Sequence, residues 1–244
     1  SGAWGYQIVQ ALSSIGLHPA VLDRRPEASD HAPMLTDDLT DHSRLYDLTD
    51  ESGVHYVVSV LDNQVQITGY FSQLWQLIRL NGVAVRHDRS AVSATHHHYS
   101  MLLGLRDIDL TCARPYGVCD YGESSIVVLE HRETIHAVDC RELDDTEALS
   151  LMNYLQRAHQ RGFTHRQITA DTIARSAIGD MVIAGWQNGD YASTTTNITL
   201  DKVQLLTLFS TMLGIERTVS LARRAWGEST LISLIPFVQK AAVP

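Results

Sequence analysis

The sequence predicts an α+β protein, with a β-rich first half followed by an α-rich second half. In the first half, short β-branched runs are punctuated by turn residues and helical periodicity is intermittent. Beyond Leu143, apolar residues recur at helical spacing behind a recognisable cap. The 244 residues suffice for one bilobal domain or two small ones, and the change in character puts the boundary near Glu130–Asp139. The expected units are therefore 1–133 and 134–244.

In chain order, Ile8, Val9, Leu12 and Ile15 mark a short helix over Gly5–Ile15 closed by Gly16. His18–Leu22 reads as a strand. Asp23–Asp41 carries Pro26, Pro33 and a run of Asp and Thr, the composition of a loop. Strands over Arg44–Asp47 and Val54–Leu61 are expected to pair through Asp50-Glu51-Ser52-Gly53, and the second is dense enough in β-formers to be central. Helices at Thr68–Leu80 and Ala91–Leu105 follow, then strands at Ala113–Val118 and Ser125–Glu130. Asp144, with Glu147 three residues on, forms a capping box. It opens a helix whose apolar face is Leu149, Met152, Leu155 and Ala158 and whose end is Gly162. A turn at Gly179-Asp180 leads into a strand at Met181–Ala184, and helices are expected at Leu200–Leu213, Ile215–Trp226 and Ser229–Val238.

Composition excludes whole classes. Apolar residues are 44% of the chain, which places it among globular rather than disordered proteins. A net charge of −9 argues against a nucleic-acid partner, because a phosphate-tracking surface needs clustered cations. Cys112, Cys119 and Cys140 include no Cys-x-x-Cys, so idle or buried thiols in a reducing compartment are expected rather than a metal site. No cationic stretch precedes an apolar one at the start, and Asn63–Ile78 is broken by polar residues, so neither a signal peptide nor a membrane span is read. The Ser1-Gly2 start and the apolar Leu231–Pro244 end are expected to belong to a fragment of something longer. His96-His97-His98 occupy consecutive helical positions about 100° apart and cannot converge on one metal ion, so a partly exposed helix face is expected.

One segment carries chemistry. After the helix ending at Gly162 come Phe163-Thr164-His165-Arg166-Gln167, a hairpin, an apolar strand and Gly185-Trp186-Gln187. This resembles the catalytic loop and metal-binding turn of the protein-kinase superfamily: helix, His-Arg-Asp, four residues, Asn, hairpin, Asp-Phe-Gly. The resemblance runs from Arg44 to Leu213, is strongest from Asp144 to Gly214, and implies a bilobal kinase-like fold with a β-rich N-lobe and a short α-rich C-lobe. Ala91–Leu105 would be its αC-like helix. Only 13 residues separate Gln187 from Asp201, which leaves a minimal activation segment. The chain is most similar to kinase-like cytoplasmic domains of bacterial membrane proteins with flippase-like or lysylphosphatidylglycerol-synthase-like transmembrane regions.

Mapped onto that pattern, the reactive positions are degenerate. Gln167 stands for the catalytic carboxylate, and a neutral amide cannot orient an attacking hydroxyl as a base. Thr172 and Gly185 stand for the two magnesium ligands, Thr169 for the nearby cation, Ser59 for the nucleotide-binding Lys of the third strand, and His98 or His96 for its partner Glu. No glycine-rich loop is found between Leu22 and Val54. What the resemblance keeps is scaffold: His165, Arg166, and Asp201 as the buried Asp that ties the loop to the following helix. Trp186 replaces the family's Phe and is expected to fill the core.

The resemblance therefore implies a catalytically inactive pseudokinase in a regulatory or protein-interaction role, with no cofactor or metal and with ATP bound weakly or not at all. Its partner would be a protein or the transmembrane region of its own polypeptide, at the cytoplasmic face of the inner membrane. Arg217, Arg223, Arg224 and Lys240 are expected on a solvated helix face, the alternative being that they face anionic lipid if a membrane segment follows. Two other readings stay open. One is a divergent small-molecule phosphotransferase recruiting Asp171, Asp180 or Asp190, with Asp171 the best placed. The other is a small-molecule sensor using the vacated nucleotide cleft.

Overall fold

The computed structural model describes residues 4–25, 43–62, 90–111, 113–130 and 135–242, which fall into two compact units. The helix expected at Thr68–Leu80, the thiol of Cys112 and most of the Asp23–Asp41 loop lie outside the described residues.

The first unit is built on an antiparallel sheet in the order β1-β2-β3-β5-β4. Its strands are β1 (Pro19–Arg24), β2 (Arg44–Asp50), β3 (His55–Leu61), β4 (Pro115–Tyr121) and β5 (Ser124–Glu130). The expected hairpin is present, with β2 pairing β3 from Arg44↔Val60 to Thr49↔His55. Asp50 closes the turn by accepting the N–H groups of Ser52 and Val54 at 2.9 Å each, and Gly53 supplies a φ of 85°. The sheet has both faces covered. Helix α1 (Gly5–Ser13) sets Ile8, Ala11 and Leu12 in a core with Tyr46, Leu48, Val58, Val60, Ile126 and Val128. Leu102 of helix α2 (Ala91–Asp107) packs with Val57, Val127 and Leu129 in a second cluster. Central β3 is therefore buried from Tyr56 to Leu61, which is why its sequence is a continuous apolar run rather than an alternation.

The histidine run is partly exposed, as expected, but at one position of the three. Only His96 is exposed; His97 and His98 are 6% and 1% accessible. The reason is register: Ala94, His97, His98, Met101, Leu102 and Leu105 form one i, i+3, i+4 stripe, and all of them are buried.

Among the described residues, the first α-helix of the second unit is α3 (Asp145–Gln160). Its capping box is closed on both sides, Glu147 N–H donating to Asp144 Oδ1 at 2.7 Å and Asp144 N–H to Glu147 Oε1 at 3.1 Å. A small sheet β6-β7-β8 (His136–Ala137, Ile173–Arg175, Met181–Ile183) precedes helices α4 (Thr195–Leu213), α5 (Ile215–Trp226) and α6 (Glu228–Ala242). Helix α4 starts earlier than the Leu200 expected, because Thr194 Oγ1 caps it by accepting Asn197 N–H at 3.3 Å. Asp201 consequently sits in the second turn rather than at the helix start. Arg217 ties α5 to the start of α3, donating to Asp145 Oδ1 at 2.6 Å and to Leu143 O at 2.7 Å. The architecture is mixed α+β, and among the described residues no helix is long and apolar enough to cross a membrane.

Candidate functional site

The candidate site is the loop that leaves α3. Gly162, at φ 86°, turns the chain out of the helix, and Thr164 pairs in both directions with the backbone of Asp190 at 2.9 Å. The next residues meet α4. Fully buried Asp201 accepts His165 N–H on Oδ2 and Arg166 N–H on Oδ1, each at 2.7 Å, while His159 Nε2 lies 2.9 Å from Oδ2. Gln204 accepts Ile168 N–H at 2.9 Å and donates to Arg166 O at 3.0 Å. Arg166 is held at φ 70°, the left-handed region that non-glycine residues rarely enter.

The tautomer of His165 follows from its partners. Nδ1 accepts Gln167 N–H at 3.1 Å, so Nε2 carries the hydrogen and donates to Ala184 O at 2.6 Å. Complete burial pushes its pKa below the ordinary 6.5, and the ring stays neutral. It meets Trp186 edge to face, with centroids 4.8 Å apart. Trp186 is fully buried and donates its Nε1–H to Ile183 O at 2.7 Å, in keeping with its expected role as core filling.

The turn after β8 is locked to the same loop. Ala184 N–H donates to Thr172 O at 2.7 Å, and Tyr154 Oη–H to Ile183 O at 3.1 Å. Gly185 has φ 80°, and a Cβ there would lie 3.3 Å from Thr172 Cγ2. Both conditions select glycine.

The polar atoms at Gln167 and Thr172, two positions singled out in the sequence, are used internally. Asn188 Nδ2 donates to Gln167 Oε1. Thr172 Oγ1 accepts Thr169 N–H at 3.1 Å and donates to Thr169 O at 2.8 Å, closing a 3-10 turn at Ala170–Thr172. Of the acidic candidates, Asp171 and Asp180 are exposed, and Asp190 Oδ1 accepts Tyr191 N–H at 2.9 Å. Among the described residues no group of three or more His, Cys, Asp or Glu could hold a metal ion. In the first unit, Ser59 is 2% exposed in β3, opposite Leu45 of β2 and Val127 of β5, and His98 lies on the buried stripe of α2. Burial pushes the thiols of Cys119 and Cys140 up to about 11, which makes them inert near neutral pH.

Sequence reasoning missed three members of this cluster. Gln204 had a signal, since it follows Asp201 by three positions and so shares its helix face. His159 had one too, standing four residues after buried Leu155. Asn188 had none, because its contact with Gln167 is made by the fold of a turn. Compared with models of known protein families and with characterised proteins, this chain matches none.

Proposed function

We propose that the chain is a catalytically silent, bilobal protein-kinase-like domain that acts by binding rather than by phosphoryl transfer. One observation carries the reading. The loop Thr164–Ile168 is held from below by Asp201 and Gln204, as a scaffold would be, while the positions for acid–base and metal chemistry are Gln167, Thr172 and Gly185. Phosphoryl transfer needs a carboxylate to orient the nucleophile, and magnesium needs hard, preferably anionic oxygens. An amide bonded to Asn188, a hydroxyl closed on Thr169 and a glycine supply neither. Further support comes from the order of elements: Ser59 lies in the third strand of a five-stranded antiparallel sheet, α2 follows it, and a hairpin follows the loop in a largely helical second unit.

On this reading the partner is a protein or the membrane-embedded part of the same polypeptide, with the domain at the cytoplasmic face. The test is thermal unfolding with and without ATP and Mg²⁺. A ligand at a hundredfold its dissociation constant adds about 2.7 kcal/mol, which lifts the midpoint by several degrees in a chain of this size. The expected shift is nil; a rise of several degrees, or magnesium-dependent release of phosphate, overturns the proposal.

A further inference from the structure

Strand β8 leads through Gly185 into the 3-10 turn Trp186–Asn188, and the residue that closes the turn is Gly189. In an Asn-Gly pair the side-chain amide lies open to attack by the next backbone nitrogen, because glycine has no Cβ to block the approach. The chain holds two such pairs, Asn81-Gly82, outside the described residues, and Asn188-Gly189. Both reacting groups of the second pair are engaged. Gly189 is buried and its N–H donates to Trp186 O at 2.9 Å, so the proton that must leave before this nitrogen can attack is bonded away from solvent base. Half-buried Asn188 donates Nδ2–H to Gln167 Oε1, which ties its carboxamide to the loop that leaves α3. Asp190, on the other side of Gly189, pairs in both directions with the backbone of Thr164 at 2.9 Å, so the same loop grips the chain before and after the glycine.

We propose that Asn188 is a self-modification site: a deamidation site that the loop Thr164–Ile168 keeps shut while docked and that opens when the loop lets go. The only co-reactant is water. The Gly189 nitrogen gives its proton to solvent base and forms a C–N bond to Asn188 Cγ. The Cγ–Nδ2 bond breaks, and ammonia departs with that electron pair and takes up a proton. Water then adds to one of the two carbonyls of the five-membered imide and breaks its C–N bond. The product is an aspartate or, where the main chain now runs through the former side chain, an isoaspartate. One water enters, one ammonia leaves, and nothing is oxidised or reduced. Aspartate turns a carboxylate toward Gln167 Oε1, which now receives a donor there. Isoaspartate lengthens the main chain between Trp186 and Asp190 by one carbon, against the pairing of Asp190 with Thr164. The modification is one-way and marks chains whose loop has been released. This inference does not depend on the kinase-like reading.

The test incubates the chain at neutral pH, folded and in urea, and follows deamidation at Asn188 and Asn81 by peptide mass spectrometry. In urea the two Asn-Gly pairs should react at similar rates. Folding should slow Asn188 at least about tenfold, because the fraction of time the loop is open sets the rate. Gln167→Ala should raise the folded rate at Asn188 severalfold and leave its rate in urea unchanged. Gln167→Glu still accepts from Asn188 Nδ2 and should stay close to the parent. Urea unfolding curves show that each variant is folded, and the parent's ratio of folded to unfolded rate decides alone where a variant is not. Asn188 reacting as fast folded as unfolded, or equally fast in the folded parent and the folded alanine variant, refutes the proposal.

Discussion

Asp201 and Gln204 stand one helical turn apart on α4 and divide the loop between them. The carboxylate takes the amides of His165 and Arg166, while the carboxamide takes that of Ile168 and returns a hydrogen bond to Arg166 O. A single helix face thereby satisfies backbone groups that would otherwise be buried without partners. This is what allows Arg166 to keep a left-handed conformation that costs a non-glycine residue roughly 1–2 kcal/mol.

Replacing Asp201 by Ala orphans two buried amides and the adjacent His159 ring nitrogen. At about 1–3 kcal/mol for each unsatisfied buried group, the loss should reach at least about 3 kcal/mol. Asp201→Asn keeps one carbonyl oxygen and should lose less. Urea unfolding of the three chains reads both differences, and an alanine variant within about 1 kcal/mol of the parent contradicts the anchoring role.

Gly185→Ala should destabilise by about 1–2 kcal/mol, since a left-handed φ is forced on an L-residue and its Cβ presses on Thr172. Gly185→Asp should lose at least as much and gain no phosphoryl-transfer activity, because Gln167 and Thr172 remain. Denaturant midpoints together with a nucleotide-turnover assay decide this. Turnover by the Asp variant would count against the silent-domain reading.

His165 predicts an acid-sensitive fold. Its folded-state pKa lies below the 6.5 of a free imidazole, so the unfolded chain takes up the proton first. The contribution is complete above the unfolded value and is lost as pH falls below it, at no more than about 1.36 kcal/mol per pH unit. His165→Gln should be less stable at neutral pH yet flatter between about pH 5 and pH 7. Stability curves of equal slope for the two chains would show that His165 titrates alike in both states.

Asp144→Ala opens the capping box of α3 and should cost about 1 kcal/mol. Glu147→Ala in the Asp144→Ala background should add less than it does alone, since the two side chains close one reciprocal pair. Strict additivity in that double-mutant cycle would mean the box is not coupled.

Much of this fold was readable residue by residue, and the exceptions have physical causes. The Asp144/Glu147 box and the Val57-Val58-Ser59-Val60 run announced α3 and β3, because local capping and β-branching agree there with the tertiary environment. The start of α4 was hidden by Thr195 and Thr196, poor helix formers whose placement is decided by the Thr194 cap. The His96–His98 run was read as a partly exposed helix face, and only the stripe that His97 and His98 share with Met101 and Leu105 reveals that these two point inward. At the candidate site the tie between Asp201 and the loop was legible only through the resemblance, not from spacing. The internal closure of Gln167 on Asn188 and of Thr172 on Thr169 was not, because it depends on turn geometry that no spacing encodes.

The Asp201 bonds give the second unit a built-in clock. With both acceptor oxygens occupied at zero solvent exposure, the amide protons of His165 and Arg166 trade for deuterium only when the loop parts from α4. Their exchange lifetimes therefore report the free energy of whatever opening, local or global, parts the loop from α4, so a molecule whose docking raises that free energy registers as slowed exchange at these two positions without touching either.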